Sequence, residues 1–578
     1  MMTRHAGWLT DSAGSTFVQL HQPAGVARAN SAVIIVPALG HEYFHGYRAM
    51  RFLADSLSEA GLLTLRMDFA HTGNAGEPAG SRPELGTWHE DLARAIRWLR
   101  AQPGVTRLCF VAHRSAALLI RGLHQPDDDM VLWNPALSGR AWLREIMVLR
   151  NFRSSDPTQQ LEVDGLCLDH VLREAISGLD VLRDYQPARH TLLIERADRP
   201  LPEGMVSRLR DNAPAIDVEL QHDHAASFRE PHHTSLPRDT VQHIVTWSRR
   251  VVTATVDNDA LRTRAAEVEL MTDIRHPGHR ERVLWIDGLF GVLTEPVDAR
   301  SIVLLGNTGA THTAGVNRLN VELARALAAA GIASLRYDLA NLGDSVTTGL
   351  TSEDTIEDEN YPYPQAASRD IERVVTWARS QGYRKLVLAG LCSSAYAAFD
   401  FTRGAGAKPD ELLLINPLTF QWHEGMSLDV PQEHSTLIQS KVYRSAMTDP
   451  SRWRRLLTGQ VEYGRLLRHV VNAVAQKAVG LLLQSARRLR LVPAPRLARE
   501  LQAIAVAGTR LHFYFASNDP GYEILNTAGK ASIRALEQHN VLSIRHFAQA
   551  DHTFRDRDKR SHLIESILED LEAPRMAA

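Results

Sequence analysis

The apolar positions of the chain fall into short solid runs separated by stretches of helical period. SAVIIVPALG from Ser31, RLCFVA from Arg107 and VLWNP from Val131 have strand length, and so do SIVLLGNTGA from Ser301, KLVLAG from Lys385 and LLINP from Leu413. Between them, RAMRFLADSLSEAG from Arg48 and RLNVELARALAAAG from Arg318 carry apolar residues at helical spacing and close on a glycine, as helix C-termini do. The same order therefore occurs twice. GLLTLRMD, ending at Asp68, matches GIASLRYD, ending at Asp338, with Gly, Leu, Arg and Asp in register, and Asp91 and Trp98 match Asp370 and Trp377. Strand, helix, strand, helix, strand predicts parallel pairing through right-handed crossovers, hence a doubly wound α/β sheet in each half. A short polar stretch from Val251 to Ala265 divides them, and the boundary is placed near Asn258, giving units 1–257 and 258–578. A length of 578 residues agrees with more than one core.

One strand end in the second half carries chemistry. Gly390-Leu391-Cys392-Ser393-Ser394 has the form Gly-x-nucleophile-x-small of a sharp strand-to-helix turn that lifts its central side chain above the carboxyl end of a sheet. Serine stands at 394 where such turns usually have a second glycine, which predicts some crowding. The bland reading of Cys392 is a small buried residue after a core strand. Order along the chain favours the other. The apolar run LHFYFA is followed by Asp519, and the strand-like VLSIRHF leads to a loop with His552, so nucleophile, acid and histidine follow one another at strand ends. In that constellation His552 takes the thiol proton and Asp519 fixes the imidazole tautomer and stabilises its cation. The oxyanion needs backbone donors, expected from Ser393 and from Thr308 in the loop after SIVLLG.

Both halves resemble α/β-hydrolase domains over nearly their whole length. The second, through NTG at Asn307, YDLANLGDS from Tyr337, the GLCSS turn and DHTF from Asp551, resembles bacterial hydrolases of the serine-aminopeptidase and lysophospholipase-like kind. The resemblance implies a hydrolase fold with a triad, and some such proteins, like dienelactone hydrolases, have cysteine at the turn. In the first half the matching turn puts Ala112 on Gly390 and Arg114 on Cys392, and arginine cannot act as a nucleophile. Ser115 lies one position past the apex and would need a register shift to act. Asp198 and His224 hold the acid and histidine positions, so this half reads as a degenerate copy. Arg114 is expected either to bind an anionic group or to pair with Asp198. Arginine here also resembles hydrolase-like proteins of bacterial exosortase and surface-polysaccharide clusters.

Acyl transfer to a thiol is near thermoneutral from a thioester and uphill from an oxygen ester or amide. The expected function is thus a thioesterase-like hydrolase or acyltransferase acting on an activated acyl group in a biosynthetic pathway. A lactone hydrolase, a peptidase and a non-catalytic binding or scaffold protein are the alternatives. The insertion from about 422 to 501 is expected to form a helical lid over the site, with eleven basic residues and one acidic between Arg452 and Arg499. Its apolar faces could cover an acyl chain. Its basic face could meet coenzyme A phosphates, a carrier protein or a membrane surface, if it is not simply solvated. An acidic run, TSEDTIEDEN from Thr351, is expected to be a solvated loop.

Bulk properties narrow this little. With 44% apolar and 23% charged residues and a formal charge of −2, the composition is that of a soluble globular protein and makes no case for nucleic acid. Cys109, Cys167 and Cys392 are too few and too far apart for a metal-ligand or disulfide pattern, so a reducing cytoplasm is expected. No metal or nucleotide cofactor is expected, as neither a ligand cluster nor a phosphate-binding fingerprint appears.

Overall fold

A computed structural model describes residues 2–24, 31–78, 80–150, 160–184, 186–213, 215–252, 269–345, 361–364, 366–404, 406–423, 426, 494–517 and 519–572. The expected boundary at Asn258, the acidic run from Thr351 and most of the expected lid lie outside these residues. From the lid's end, residues Arg496–Val506 form a helix.

In chain order the strands are β1 (Thr3–Asp11), β2 (Gly14–Gln22), β3 (Ser31–Val36), β4 (Leu63–Asp68), β5 (Arg107–His113), β6 (Asp129–Trp133), β7 (Leu161–Val163), β8 (Leu166–Leu168), β9 (His190–Arg196), β10 (Ile216–Gln221) and β11 (Glu269–Met271). They continue with β12 (Asp273–His276), β13 (His279–Ile286), β14 (Leu289–Pro296), β15 (Ser301–Leu305), β16 (Ala333–Tyr337), β17 (Lys385–Leu391), β18 (Glu411–Ile415), β19 (Arg510–Ala516) and β20 (Leu542–Phe547). Apart from the β7–β8 hairpin they fall into two mixed, mostly parallel sheets of nine strands, so the chain has the α/β class that the repeat predicts.

By compactness the chain divides into unit 1, Met1–Leu386 with Thr553–Ala578, and unit 2, Val387–His552. Unit 1 contains the sheet β10-β9-β6-β5-β3-β4-β2-β1-β11 and the run β12-β13-β14-β16-β15. In the first of these, β3, β4, β5, β6, β9 and β10 pair in parallel while β2 joins β4 antiparallel, which is the strand order of an α/β-hydrolase sheet. The central strands are covered on both faces. Ile34, Phe110 and Leu132 pack to one side and Val33, Val111 and Val131 to the other, which is why they read as solid apolar runs rather than alternating ones. The β1–β2 hairpin at the start of the chain and the β7–β8 hairpin are additions to the sequence reading. Unit 2 carries β18 and β19 flanked by β17 and β20, all parallel.

The matched aspartates of the repeat do matched work. Asp68 accepts the Asn74 backbone N–H at 2.8 Å, and Asp338 accepts that of Asp344 at 2.8 Å. Each tight turn passes through a glycine at positive φ, Gly73 at 47° and Gly343 at 50°, where an added Cβ would come within 2.1 Å of the aspartate. Asp91 and Asp370 likewise accept the N–H of Ala70 and Ala340 at 2.8 and 3.0 Å.

Candidate active site

The turn after β17 has the strain expected of it. Cys392 sits at φ 59° and ψ −113°, directly before the helix Ser393–Arg403, and a side chain in that region is held only where its surroundings over-determine it. Its N–H donates to the Ile415 carbonyl at 2.9 Å and its carbonyl accepts from Tyr396 N–H at 3.2 Å. A Cβ at Gly390 would stand 2.3 Å from Ser394 Oγ and 2.5 Å from the Ser394 carbonyl carbon, so glycine is required there. The serine at 394 is accommodated by turning back into the turn. Its Oγ accepts the Leu391 N–H at 3.0 Å and donates to the Leu391 carbonyl at 3.1 Å, so the extra atom is bound rather than crowded out.

Unit 2 also brings together Asp519 and His552. Asp519 follows β19 as the N-cap of the helix Pro520–Gln538, where one carboxylate oxygen accepts Gly521 N–H at 3.0 Å. The other lies 2.6 Å from His552 Nδ1, which fixes the proton of a neutral ring on that nitrogen and points Nε2 away from the acid. Burial opposes a charge on the imidazole, but a Cys392 thiolate beside it, together with the bond to Asp519, outweighs burial and raises the His552 pKa to about 10. Cys392 acts on the ring through its charge and through a side-chain hydrogen bond, although Nε2 has no well-aligned partner among the described residues. Such contacts are commonly loose before substrate binds. Asp519 is buried, Cys392 is half-buried, and the His552 side chain keeps 32% exposure, which leaves an open edge for a reacting group.

Of the two expected oxyanion donors, Ser393 heads the helix after Cys392 in unit 2. Thr308 lies in unit 1, buried in the turn after β15, where its carbonyl accepts Thr311 N–H at 3.0 Å. Sequence reasoning missed Asn416. Its backbone takes φ 43°, its N–H donates to the Tyr514 carbonyl at 3.0 Å, its Oδ1 accepts Ala516 N–H at 2.8 Å, and its Nδ2 donates to the His552 carbonyl at 2.7 Å. It thus ties the ends of β18 and β19 to the histidine loop. The repeated strings VLWNP and LLINP were the available signal, since Asn134 has the same φ sign and its N–H donates to Ile194 O at 2.8 Å.

The first-half counterparts are not joined. Arg114 does take the apex, at φ 51°, but the expected pairing with Asp198 is not formed. Arg114 donates to Glu42 at 2.9 Å and to Glu145 at 2.8 Å, while Asp198 is bound by its near neighbour Arg196 at 3.0 and 2.6 Å. His224 meets neither. Its Nδ1 accepts from Asn134 Nδ2 at 3.1 Å, and burial, aided by Arg196 and Arg114, lowers its pKa to about 4. Ser115, one position past the apex, is held by other groups. It is fully buried, its Oγ donates to Glu42 Oε2 at 2.6 Å, and its N–H donates to the same oxygen at 3.0 Å. The Leu39 N–H, from the loop after β3, is taken by Ser115 Oγ at 2.9 Å. The Glu42 carboxylate therefore occupies the donor that would stabilise an oxyanion there. Nothing near the turn in sequence predicts it, because Glu42 stands 72 residues before Arg114.

No family model matches the chain, and no curated protein matches it by sequence. Solved structures do match in part. An α/β serine hydrolase without lid from Xanthomonas campestris is 17% identical over 44% of this chain and 97% of its own, with a TM-score of 0.29. An esterase from Pyrococcus furiosus is 15% identical over 43% of this chain and 94% of its own, with a TM-score of 0.31. A dienelactone hydrolase from Anabaena variabilis is 11% identical over 50% and 96%, with a TM-score of 0.30. Each spans nearly all of the neighbour and at most half of this chain.

Proposed function

We propose that the chain is an acyl-enzyme catalyst, a thioesterase-like hydrolase or acyltransferase with Cys392 as nucleophile, His552 as base and Asp519 as the group that orients it. The observation that carries the reading is the 2.6 Å bond from His552 Nδ1 to Asp519 beside a cysteine on a strained turn, with the thiolate favouring charge on the ring. The imidazole accepts the thiol proton. The sulfur then forms a bond to the acyl carbon, and the tetrahedral oxyanion collapses with loss of the donor thiolate, which is protonated by His552. Water or an acceptor nucleophile, deprotonated by the same ring, attacks the acyl-cysteine and releases the thiol. The Ser393 N–H, at the positive end of its helix, is the oxyanion donor we assign within unit 2, and Thr308 is the second candidate.

A thioester donor suits a cysteine because thiol-to-thiol transfer is nearly balanced in free energy. Coenzyme A or a carrier protein is the corresponding partner, cytoplasm the corresponding compartment, and a biosynthetic pathway the setting we assign. Among the described residues no helix is long and apolar enough to cross a membrane. The first half, with its apex arginine and buried Glu42, fits a non-catalytic role, which confines the proposal to the second half. Intact-mass analysis after incubation with a panel of acyl thioesters tests the reading. A mass gain equal to the acyl group in the wild type and none in Cys392→Ala is expected. Equal labelling of both, or of neither, would remove the enzymatic reading.

A further inference from the structure

We propose that the first half is a positioning subunit for the second: within unit 1 it holds in place the loop after β15 that carries Thr308, the second oxyanion candidate. This task rests on the acyl-transfer reading, which leaves the first half without one.

The loop, residues 306–318, has a backbone that does not hold itself. Ala310, Asn317 and Arg318 take positive φ, at 63°, 53° and 61°, and side chains persist there only where their surroundings over-determine them. The loop's own half supplies part of the restraint. Asn307 donates to the Thr311 carbonyl and to Asp338, both at 2.6 Å, and accepts Leu339 N–H at 2.6 Å. The rest comes from the first half, at three points. His312 lies on the ring of Tyr47 at 4.1 Å and 14° and meets the edge of Tyr43 at 5.5 Å. Thr313 Oγ1 accepts Asn74 Nδ2 at 2.9 Å. Arg318 donates to the Gly73 and Ala75 carbonyls, each at 3.0 Å, and pairs with Glu77 at 2.6 Å. The Thr308–Thr311 turn, closed by its 3.0 Å backbone bond, passes the restraint on His312 and Thr313 back to Thr308.

The turn behind the loop is held in the same way. Asp338 takes Asn307 on one oxygen and Asp344 N–H on the other, and the buried Asp344 carboxylate meets Arg66, the Tyr47 hydroxyl and Gln19 Nε2 of the first half. Burial opposes charge on Asp344, but Arg66 and the Tyr47 hydroxyl outweigh it and lower its pKa to about 2. Without these groups the turn would carry a stranded buried carboxylate. The exchange is reciprocal. Asn74 follows Asp68 as Asp344 follows Asp338, and its Oδ1 accepts from Arg336, the match of Arg66, at 3.2 Å. Each half thus lays the turn after its matched aspartate against the matched arginine of the other. A backbone donor serves an oxyanion best when it is fixed before the charge develops, so the groups that fix this loop set the rate of the reaction it serves.

Two reactions of Cys392 separate this role from mere packing. Full-length wild type, Tyr47→Ala, Asn74→Ala and Asn74→Asp are given the acetyl and octanoyl thioesters of N-acetylcysteamine, with thiol release corrected for that of Cys392→Ala. In parallel, alkylation of Cys392 by iodoacetamide is followed by peptide mass mapping. Thioester cleavage passes through an oxyanion, whereas alkylation needs only the thiolate. Both alanine variants are expected to release thiol about ten- to a hundredfold more slowly, short of the roughly 10²–10³-fold cost of losing a whole donor, with alkylation within about twofold of wild type. Asn74→Asp keeps an oxygen for Arg336 and for the Thr313 hydroxyl and is expected to retain most of the wild-type rate. Thiol release unchanged in the alanine variants, both reactions slowed alike, or Asn74→Asp as slow as Asn74→Ala would overturn the proposal. A wild type no faster than Cys392→Ala would instead remove the acyl-transfer reading, and the proposal with it. Circular dichroism checks folding, and Thr313→Val, which removes the Asn74 bond from the loop side, carries the test if an alanine variant does not fold.

Discussion

Glu42 gives the sharpest quantitative test of how the turn at Arg114 is held. It is 5% exposed, and its carboxylate accepts from Ser115 N–H, Ser115 Oγ and Arg114 Nε at 3.0, 2.6 and 2.9 Å. Glu42→Ala leaves two buried Ser115 donors short of an acceptor and returns Arg114 to Glu145 alone, whose side chain is 47% exposed. Each bond to a charged group contributes about 1.5–3 kcal/mol, but the three share one carboxylate and do not add. The fitting bound is the cost of removing one partner from a buried ion pair, about 3–5 kcal/mol. Glu42→Gln keeps one carbonyl acceptor and should lose about half as much. Calorimetric unfolding of wild type, Glu42→Ala, Arg114→Met and the double variant measures this, and the cycle should give a coupling energy above about 1 kcal/mol between positions 42 and 114. A Glu42→Ala variant within about 1 kcal/mol of wild type, or additive single effects, would refute the idea that this carboxylate holds the turn.

Two further results are expected. Asp519→Asn keeps an oxygen to cap the helix at Gly521 but offers His552 the wrong tautomer partner, so thioester turnover should fall by about 10³–10⁴-fold with the unfolding midpoint little changed; a loss below tenfold would contradict the assigned role. The His552 C2–H proton signal should titrate near 10 in wild type and well below that in Cys392→Ala, since the thiolate is the largest influence raising it against burial; an unchanged titration would place the sulfur out of reach of the ring.

Much of this was legible in the sequence because it was local or repeated. The solid apolar runs of β3, β5 and β6 follow from burial on both faces, and Gly390 at the turn follows from a clash at 2.3 Å. Asp519 and His552 were readable since each follows a strand end. What escaped was set by distant partners. Asp198 satisfies itself on Arg196 two residues away, which leaves Arg114 to Glu42 and Glu145, and no periodicity announces either. Asn416 was visible only as half of a repeated string, and its bond to the His552 carbonyl spans 136 positions. The crowding expected at Ser394 did not arise because a hydroxyl, unlike a methyl group, can bond to the backbone it approaches.

The most direct measurement is the alkylation rate of each cysteine, resolved by peptide mass mapping, in wild type and in His552→Ala. Cys109 is fully buried and Cys167 is half-buried, and burial pushes both thiols above their ordinary range, so both should react slowly in either protein. Cys392 is expected to react fastest in the wild type near neutral pH and to slow at least about tenfold when the imidazole is removed. A Cys392 rate no greater than that of Cys167, or one indifferent to His552, would contradict it.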